Sequence, residues 1–162
     1  MTRRAFTVEE ANALVPLLEG VFQSIASMKE EARAHARRLE VLGLLWGNAV
    51  ADEDNPDYHE YLRHRRGYGG SVSEIERLVQ DGIVRRGLRF PMGGIENGLI
   101  DFPTTYEGRW VYLCWRIGEG TLRYWHETDG GYAGRRRITP EQEQRMGRED
   151  DPAAVDDETL DF

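Results

Sequence analysis

The apolar positions of the first 46 residues recur with a helical period. Thr7 and Glu10 have the spacing of a capping box, which marks the start of a helix. Apolar side chains then recur at alternating spacings of three and four residues, with Lys29 and Gly43 at the two gaps in the series, which is the pattern of a coiled-coil seam. The seam predicts a long helix that packs either on a second helix of the same chain, which we favour, or on another copy in a dimer. Its members are Ala11, Val15, Leu18, Phe22, Ile25, Ala32, Ala36, Leu39 and Trp46.

A second helical segment is predicted for residues 57–81, where apolar side chains again form a stripe at helical spacing. The sequence "GYGG" (67–70) predicts a break in this segment, because clustered glycines disfavour a continuous helix. A loop is predicted over residues 47–56. Residues 1–82 are therefore expected to form a helical hairpin.

The pattern changes after Gly82, where glycine becomes frequent and β-branched and aromatic residues occur in short runs. Such runs are typical of strands, and "GEG" (118–120) between two of them predicts a hairpin turn. Pro103 and the glycine-rich segment 91–98 predict loops. The predicted fold class is α+β, a long N-terminal helical hairpin followed by a small, mainly antiparallel sheet. The predicted strands cover 83–88, 98–103, 109–117, 121–127 and 132–138.

The C-terminal residues differ from the rest of the chain in charge. Residues 139–162 carry nine acidic and two basic side chains, a charge of −7, against −1 for residues 1–138. Thr139 and Gln142 predict the start of a short helix, and the acidic remainder is predicted to be disordered. The sequence thus predicts one α+β domain over 1–138, with its β part at 83–138, followed by a short helix and an acidic tail.

Three blocks carry a specific pattern: "FTVEEANALVPLL" (6–18), "GLIDFP" (98–103) and residues 108–138, which contain "VYLCWRIGE" and "WHETDGGYAGR". These blocks resemble a family of small bacterial proteins that is classed as a domain of unknown function. The resemblance is loose over 47–82 and stops near Thr139. It implies a helical front half followed by strands, and it implies no activity.

Composition and charge narrow the setting in which the protein works. Hydrophobic residues make up 40% and charged residues 31% of the 162 residues, as in an ordinary globular domain. The longest uncharged run, 41–51, is shorter than the roughly 20 residues of a bilayer span. No secretory signal is recognised, and a single cysteine cannot form an intrachain disulfide, so a cytoplasmic location is expected. A nearly neutral body with an acidic tail makes neither a membrane nor nucleic acid an expected partner.

Standard catalytic motifs are absent from the sequence, including the phosphate-binding P-loop, the G-x-G-x-x-G fingerprint, C-x-x-C and G-x-S-x-G. "HEYLRH" (59–64) is close to the zinc-binding H-E-x-x-H motif. His59 and His64, however, lie five positions apart, which places them roughly 140° apart around a helix. We therefore interpret them as surface histidines.

The segment 113–127 and its neighbours contain the remaining candidates for chemistry. Cys114, His126 and Glu119 combine the thiolate, imidazole and carboxylate that suit zinc or iron, and they are the predicted metal ligands. Cys114 with His126 could alternatively act as a nucleophile with its base, or Cys114 could simply belong to the core. A broader ligand-binding site is predicted from His126, Glu127, Arg135 and Asp101.

The turn between the two strands decides whether Cys114 and His126 meet. A two-residue turn sets Cys114 opposite Trp125 and places Cys114 and His126 on opposite faces. A three-residue turn over 118–120 sets Cys114 opposite Tyr124, so that Cys114 and His126 share a face about 7–8 Å apart. The first register opposes two arginines and the second places a leucine beside an arginine, so the residues leave both open.

Two functions are compatible with the sequence. The first is a cytoplasmic binding or interaction module that contacts a protein partner, or a second copy, through the helical seam. The second is a metal- or small-ligand-dependent enzyme with its site at the end of the 109–127 hairpin. Bound metal would favour the second function, and a complex that depends on the seam would favour the first.

Overall fold

Two long helices form the first half of the chain. The computed structural model describes residues 3–160, and its first helix begins at the predicted cap, where the Glu10 amide donates to Thr7 Oγ1 at 3.1 Å. Within that range, none of the helices combines the length and apolar composition that crossing a membrane requires. The helices are α1 (Val8–Trp46), α2 (Tyr58–Gly82), α3 (Gly94–Asn97) and α4 (Pro140–Arg145), and 3₁₀ turns cover Gly47–Ala51, Val84–Arg86 and Tyr132–Gly134.

An antiparallel sheet of four strands follows the helices, in the order β1-β2-β3-β4. The last two strands are shorter than the sequence predicted. The arrangement confirms the predicted α+β fold. Contacts divide the described chain into two compact units, residues 3–22 with 81–160 and residues 23–80. The strands are β1 (Leu99–Tyr106), β2 (Arg109–Arg116), β3 (Tyr124–Glu127) and β4 (Arg136–Arg137).

The apolar seam of α1 is buried at its predicted positions from Ala11 to Ala32. Up to Phe22 these residues belong to the hydrophobic core that includes the sheet. Beyond Ala32 the prediction is wrong, because Leu42 is buried whereas Ala36 and Trp46 are exposed. In that part the neighbour of α1 is α2 instead of the sheet, so the buried face need not continue the same seam.

The second helix runs without interruption through "GYGG", so the predicted break at 67–70 is wrong. Side-chain pairs join α1 to α2, namely His35–His64 and Arg38–Glu60, and Trp46 of α1 binds Asp57 just before α2. This packing offsets the low helix propensity of glycine, about 1 kcal/mol per residue. At one of these glycines the helices pack so closely that a side chain would displace a neighbour, because a Cβ at Gly67 would lie 2.4 Å from the ring of His35.

Substitution of Gly67 by alanine should destabilise the helical hairpin, whereas Gly69→Ala should stabilise it. The new Cβ at position 67 would overlap the His35 ring, which His64 holds in place, and such overpacking costs about 1–3 kcal/mol. A Cβ at position 69 meets no atom within 4 Å, so alanine there gains about 0.5–1 kcal/mol of helix propensity. Urea unfolding of both variants measures the difference. Equal effects at the two positions would contradict the close approach of α2 to His35.

A predicted strand and a predicted loop near the sheet are also wrong. Residues 83–88 contain a 3₁₀ turn in place of a strand, and only an isolated bridge between Arg89 and Asp101 follows it. Pro103, which predicted a loop, lies inside β1. β1 is an edge strand, and the Pro103 carbonyl accepts from the Phe6 amide at 2.8 Å on its open side. Proline is tolerated there because its missing N–H removes no bond to β2.

Alternate residues of the sheet point to opposite faces. The first face is apolar and packs in one core with the beginning of α1. Its members are Ile100, Phe102, Val111, Leu113, Trp115 and Trp125. The second face also carries fully buried side chains, but they include polar and ionisable groups, namely Asp101, Tyr112, Cys114 and His126. Buried ionisable groups need hydrogen-bonding or charged partners and often mark functional sites. A functional site is therefore expected on this face of the sheet.

The acidic tail packs on the second face of the sheet, in contrast to the predicted disorder. Val155 and Leu160 contact the cluster that contains Trp110 and Tyr112. Beyond α4 the described residues form turns, with neither helix nor strand. The composition predicted disorder because acidic residues dominate the tail, but its few apolar residues cover an aromatic surface formed by residues distant in sequence.

Candidate metal centre

The pairing of β2 with β3 selects one of the two predicted registers. Cys114 lies opposite Tyr124 and Tyr112 lies opposite His126, which is the register of the three-residue turn. The connection is longer than that turn, because pairing stops at Cys114 and β3 begins at Tyr124. On the other side of β2, Asp101 of β1 lies opposite Cys114. Asp101, Cys114 and His126 therefore point to the same face of the sheet.

These three side chains form a buried cluster. A carboxylate oxygen of Asp101, Sγ of Cys114 and a ring nitrogen of His126 all lie within 4.8 Å of one another. Four-coordinate zinc binds oxygen, sulfur and nitrogen at about 2.0–2.3 Å, which sets neighbouring ligand atoms about 3.5 Å apart. The cluster could therefore hold a metal ion after small side-chain shifts.

The hydrogen bonds of His126 orient its ring toward the cluster. Nδ1 lies 2.7 Å from the carbonyl oxygen of Glu127, and because a carbonyl only accepts, Nδ1 carries a hydrogen. Nε2 lies 3.1 Å from Oδ1 of Asp101. A metal-bound histidine commonly donates its other ring N–H to a backbone carbonyl in the same way. Nε2 is thus the ring nitrogen that faces Asp101 in the cluster.

The same hydrogen bonds leave no base for a thiol nucleophile. A histidine that activates a cysteine needs a free ring nitrogen directed at Sγ, but the two nitrogens of His126 face the Glu127 carbonyl and Asp101. Burial, reinforced by the nearby Asp101 carboxylate, raises the pKa of the Cys114 thiol. Without a metal the thiol is therefore neutral and a weak nucleophile.

The imidazole of His126 keeps its second proton to higher pH than a free histidine. Burial opposes the charged form, but the hydrogen bond and negative charge of Asp101 outweigh burial and raise the pKa of His126. In the metal-free protein a proton therefore lies between Nε2 and the carboxylate, in the place that a cation would take.

The contribution of His126 to the free energy of unfolding of the metal-free protein should decrease as the pH rises. A pKa raised by folding means that the folded chain binds the proton more tightly than the unfolded chain. The stabilisation is therefore fully present below the ordinary histidine pKa of about 6.5 and disappears as the pH rises through the folded-state value. Urea unfolding with chelator present, at a series of pH values, measures the difference between wild type and His126→Gln. A difference that does not shrink with rising pH would contradict the ion pair with Asp101.

Arg89 holds the second oxygen of Asp101. Its Nε and Nη2 atoms lie 3.2 and 3.1 Å from Oδ2. Its guanidinium also lies 3.8 Å from the centre of the Tyr112 ring. Arg89 was missed by the sequence reasoning, because it falls between a predicted strand and a predicted loop and belongs to no motif. Its bridge to β1 is what brings it to the cluster.

Glu119 and Arg135, predicted as a metal ligand and a ligand-binding residue, bind each other beside the cluster. Their ion pair measures 2.7 Å. Arg135 also lies over the Tyr124 ring and donates to the Cys114 carbonyl oxygen at 3.4 Å. The pair ties the connection after β2 to the backbone beside Cys114, and the group of three side chains that could hold a metal ion does not include Glu119.

Glu127 lies next to His126 in β3 but points to the other face. Its carboxylate binds Arg109 at 2.7 Å, and this hydrogen bond lowers the pKa of Glu127. Its contribution to the cluster is the backbone carbonyl that accepts from His126.

The two histidines of "HEYLRH" do not contact each other in the described contacts. His64 pairs with His35 of α1, with the two Nδ1 atoms 3.0 Å apart. The ring of His59 stacks edge-on against Tyr58. The structure thus offers no H-E-x-x-H-type site within this stretch.

Comparison with known proteins agrees with the resemblance carried by the three sequence blocks. The model of a family described as "Uncharacterized conserved protein (DUF2203)" matches residues 4–138 and ends before the acidic tail. No curated protein and no solved structure matches the chain. Because the family model covers most of the sequence, the chain belongs to the uncharacterized conserved protein family DUF2203.

Proposed function

We propose that this protein binds one divalent transition-metal ion through Asp101, Cys114 and His126. The observation that carries the proposal is the convergence of three different ligand atoms, within 4.8 Å of one another, in a fully buried cluster. The Nδ1 hydrogen bond of His126 supports it, because the ring is already held with Nε2 toward Oδ1 of Asp101.

The donor set favours zinc or iron(II). Thiolate and imidazole ligands bind these ions well and suit magnesium and calcium poorly. A dication held by one thiolate and one carboxylate carries no net charge, which reduces the cost of burying it. Full burial supports an ion that is retained within the fold, where its binding free energy adds to folding stability. Catalysis at the metal is the less favoured alternative, because a substrate would have to reach a covered site.

Elemental analysis of the full chain, purified without chelator, tests the proposal. We expect one zinc or iron per chain in the wild type and a large loss of metal in Cys114→Ser and in His126→Gln. His64→Gln is the matched control, because it removes a half-buried histidine that lies outside the cluster, and it should keep its metal. Wild-type protein without metal that also fails to take up zinc would overturn the proposal, as would equal metal content in the three variants.

Self-association is a second candidate function, and the exposed apolar residues at the end of α1 favour it. Leu44 and Leu45 are 83% and 65% exposed, although both are large and apolar. This patch lies between the basic Arg37 and the acidic segment 52–54. We propose a second copy of the chain as the partner, because two copies packed antiparallel about a two-fold axis would place opposite charges near each other.

Size-exclusion chromatography with light scattering tests this contact. We expect a dimer that Leu44→Glu converts to a monomer. Val84→Glu is the control, since Val84 is also an exposed apolar residue but lies in the other unit. A wild type that is monomeric at high concentration would contradict the second candidate.

A further inference from the structure

The two oxygens of Asp101 have different partners. Oδ2 accepts two hydrogen bonds from Arg89, from Nε at 3.2 Å and from Nη2 at 3.1 Å. A carboxylate oxygen has about two lone-pair sites, so Oδ2 has none left in this arrangement. Oδ1 instead faces Nε2 of His126 at 3.1 Å and belongs to the cluster. Only one oxygen of Asp101 is therefore available to a metal ion.

The arginine that imposes this difference is itself held in place. Its backbone makes both hydrogen bonds of the bridge to Asp101, with the Arg89 amide donating at 3.1 Å and the Asp101 amide donating at 3.0 Å. Its guanidinium lies over the ring of Tyr112, and its side chain is 15% exposed. Movement of the guanidinium away from Oδ2 would break these contacts and leave a buried carboxylate oxygen without a donor.

We infer, on the basis of the proposed metal site, that Arg89 is a positioning residue that restricts Asp101 to coordination through one oxygen. A carboxylate that binds through both oxygens raises the coordination number and suits larger or oxygen-preferring ions. With one oxygen, one sulfur and one nitrogen, the protein offers three of the four ligands of a four-coordinate zinc, and a water molecule would supply the fourth. Arg89 thereby makes the site selective for zinc-like ions over manganese and other six-coordinate ions.

Cobalt(II) substitution tests this role, because cobalt absorbs strongly in visible light when it is four-coordinate and weakly when it is six-coordinate. We expect the wild-type full chain, stripped with chelator and loaded with cobalt, to show the intense spectrum. Arg89→Met keeps an apolar stem over Tyr112 but frees Oδ2. It should weaken the cobalt bands and lower the ratio of zinc to manganese affinity by about 10- to 100-fold, the range of changes in groups that contact metal ligands. Arg89→Lys, which retains a charged donor group but not the planar fork of arginine, should restore part of the selectivity.

Arg145→Met is the matched control, because Arg145 also lies over a tyrosine ring, Tyr106, and binds a carboxylate, Glu149, outside the cluster. It should leave the cobalt spectrum and the metal preference unchanged. An unchanged spectrum and preference in Arg89→Met would overturn the role of Arg89 while leaving metal binding intact. A weak, six-coordinate spectrum in the wild type would overturn it without any variant, so the result does not depend on whether Arg89→Met folds. A wild type that binds no cobalt would instead contradict the proposed metal binding.

Discussion

Replacing Cys114 by serine should lower the affinity for zinc by about 100- to 1,000-fold. Structural zinc sites bind with about 10–16 kcal/mol in total, so one of several ligands accounts for a few kcal/mol, and each factor of ten corresponds to about 1.4 kcal/mol. Serine keeps the shape of the side chain but does not ionise, so it cannot replace the thiolate. Competition between the protein and a chromogenic chelator measures the change.

The fold should tolerate this substitution in the absence of metal. Cys114 is buried as a neutral thiol, and its replacement removes no ion pair. Met146→Leu is the matched control, because it removes another fully buried sulfur that belongs to the opposite core. Zinc affinity should be unchanged in that variant. A Cys114→Ser protein that binds zinc as tightly as the wild type would exclude the thiolate as a ligand.

Replacing Asp101 by alanine should destabilise the metal-free protein by about 3–5 kcal/mol, the range for breaking a buried ion pair. Asp101 lies fully buried between Arg89 and His126, and its removal takes away the carboxylate that both charged groups contact. Asp101→Asn should cost less, because an amide oxygen can still accept a hydrogen bond from Arg89. Urea unfolding with chelator present measures both changes.

An exposed ion pair provides the comparison for this effect. Glu30 and Arg33 lie three positions apart on α1 with side chains 65% exposed. Solvent screens such pairs, so Glu30→Ala should change the free energy of unfolding by less than about 1 kcal/mol. A similarly small change for Asp101→Ala would mean that the carboxylate does not hold Arg89 and His126 as the structure describes.

Local sequence signals predicted the helices better than their interruptions. The structure confirms the capping boxes at Thr7 and Thr139 and the first part of the seam. These features could be predicted because each depends on residues that lie close together along one helix. The break at "GYGG" was wrong because the approach of α2 to His35 is a contact between residues distant in sequence. Pro103 was placed in a loop for a related reason, because its position on the open edge of the sheet depends on the whole topology.

The candidate site was partly predictable from the strand pattern. Residue types and alternation brought Cys114 and His126 into consideration, and Asp101 was identified in a neighbouring strand. Whether Cys114 and His126 share a face depends on a one-residue difference in strand register. The sequence did not decide between the two registers, because each placed one unfavourable pair of side chains together. Arg89 and the pairing of Glu119 with Arg135 depend on the paths of irregular segments, for which the sequence carries no periodic signal.

X-ray absorption of the zinc-loaded full chain tests the central claim most directly. Cys114 is the single cysteine of the sequence, so a thiolate signal can come from no other residue. The account predicts one sulfur at about 2.3 Å and nitrogen or oxygen ligands at about 2.0–2.1 Å around the metal. A first shell that contains only nitrogen and oxygen would contradict a metal centre formed by Asp101, Cys114 and His126.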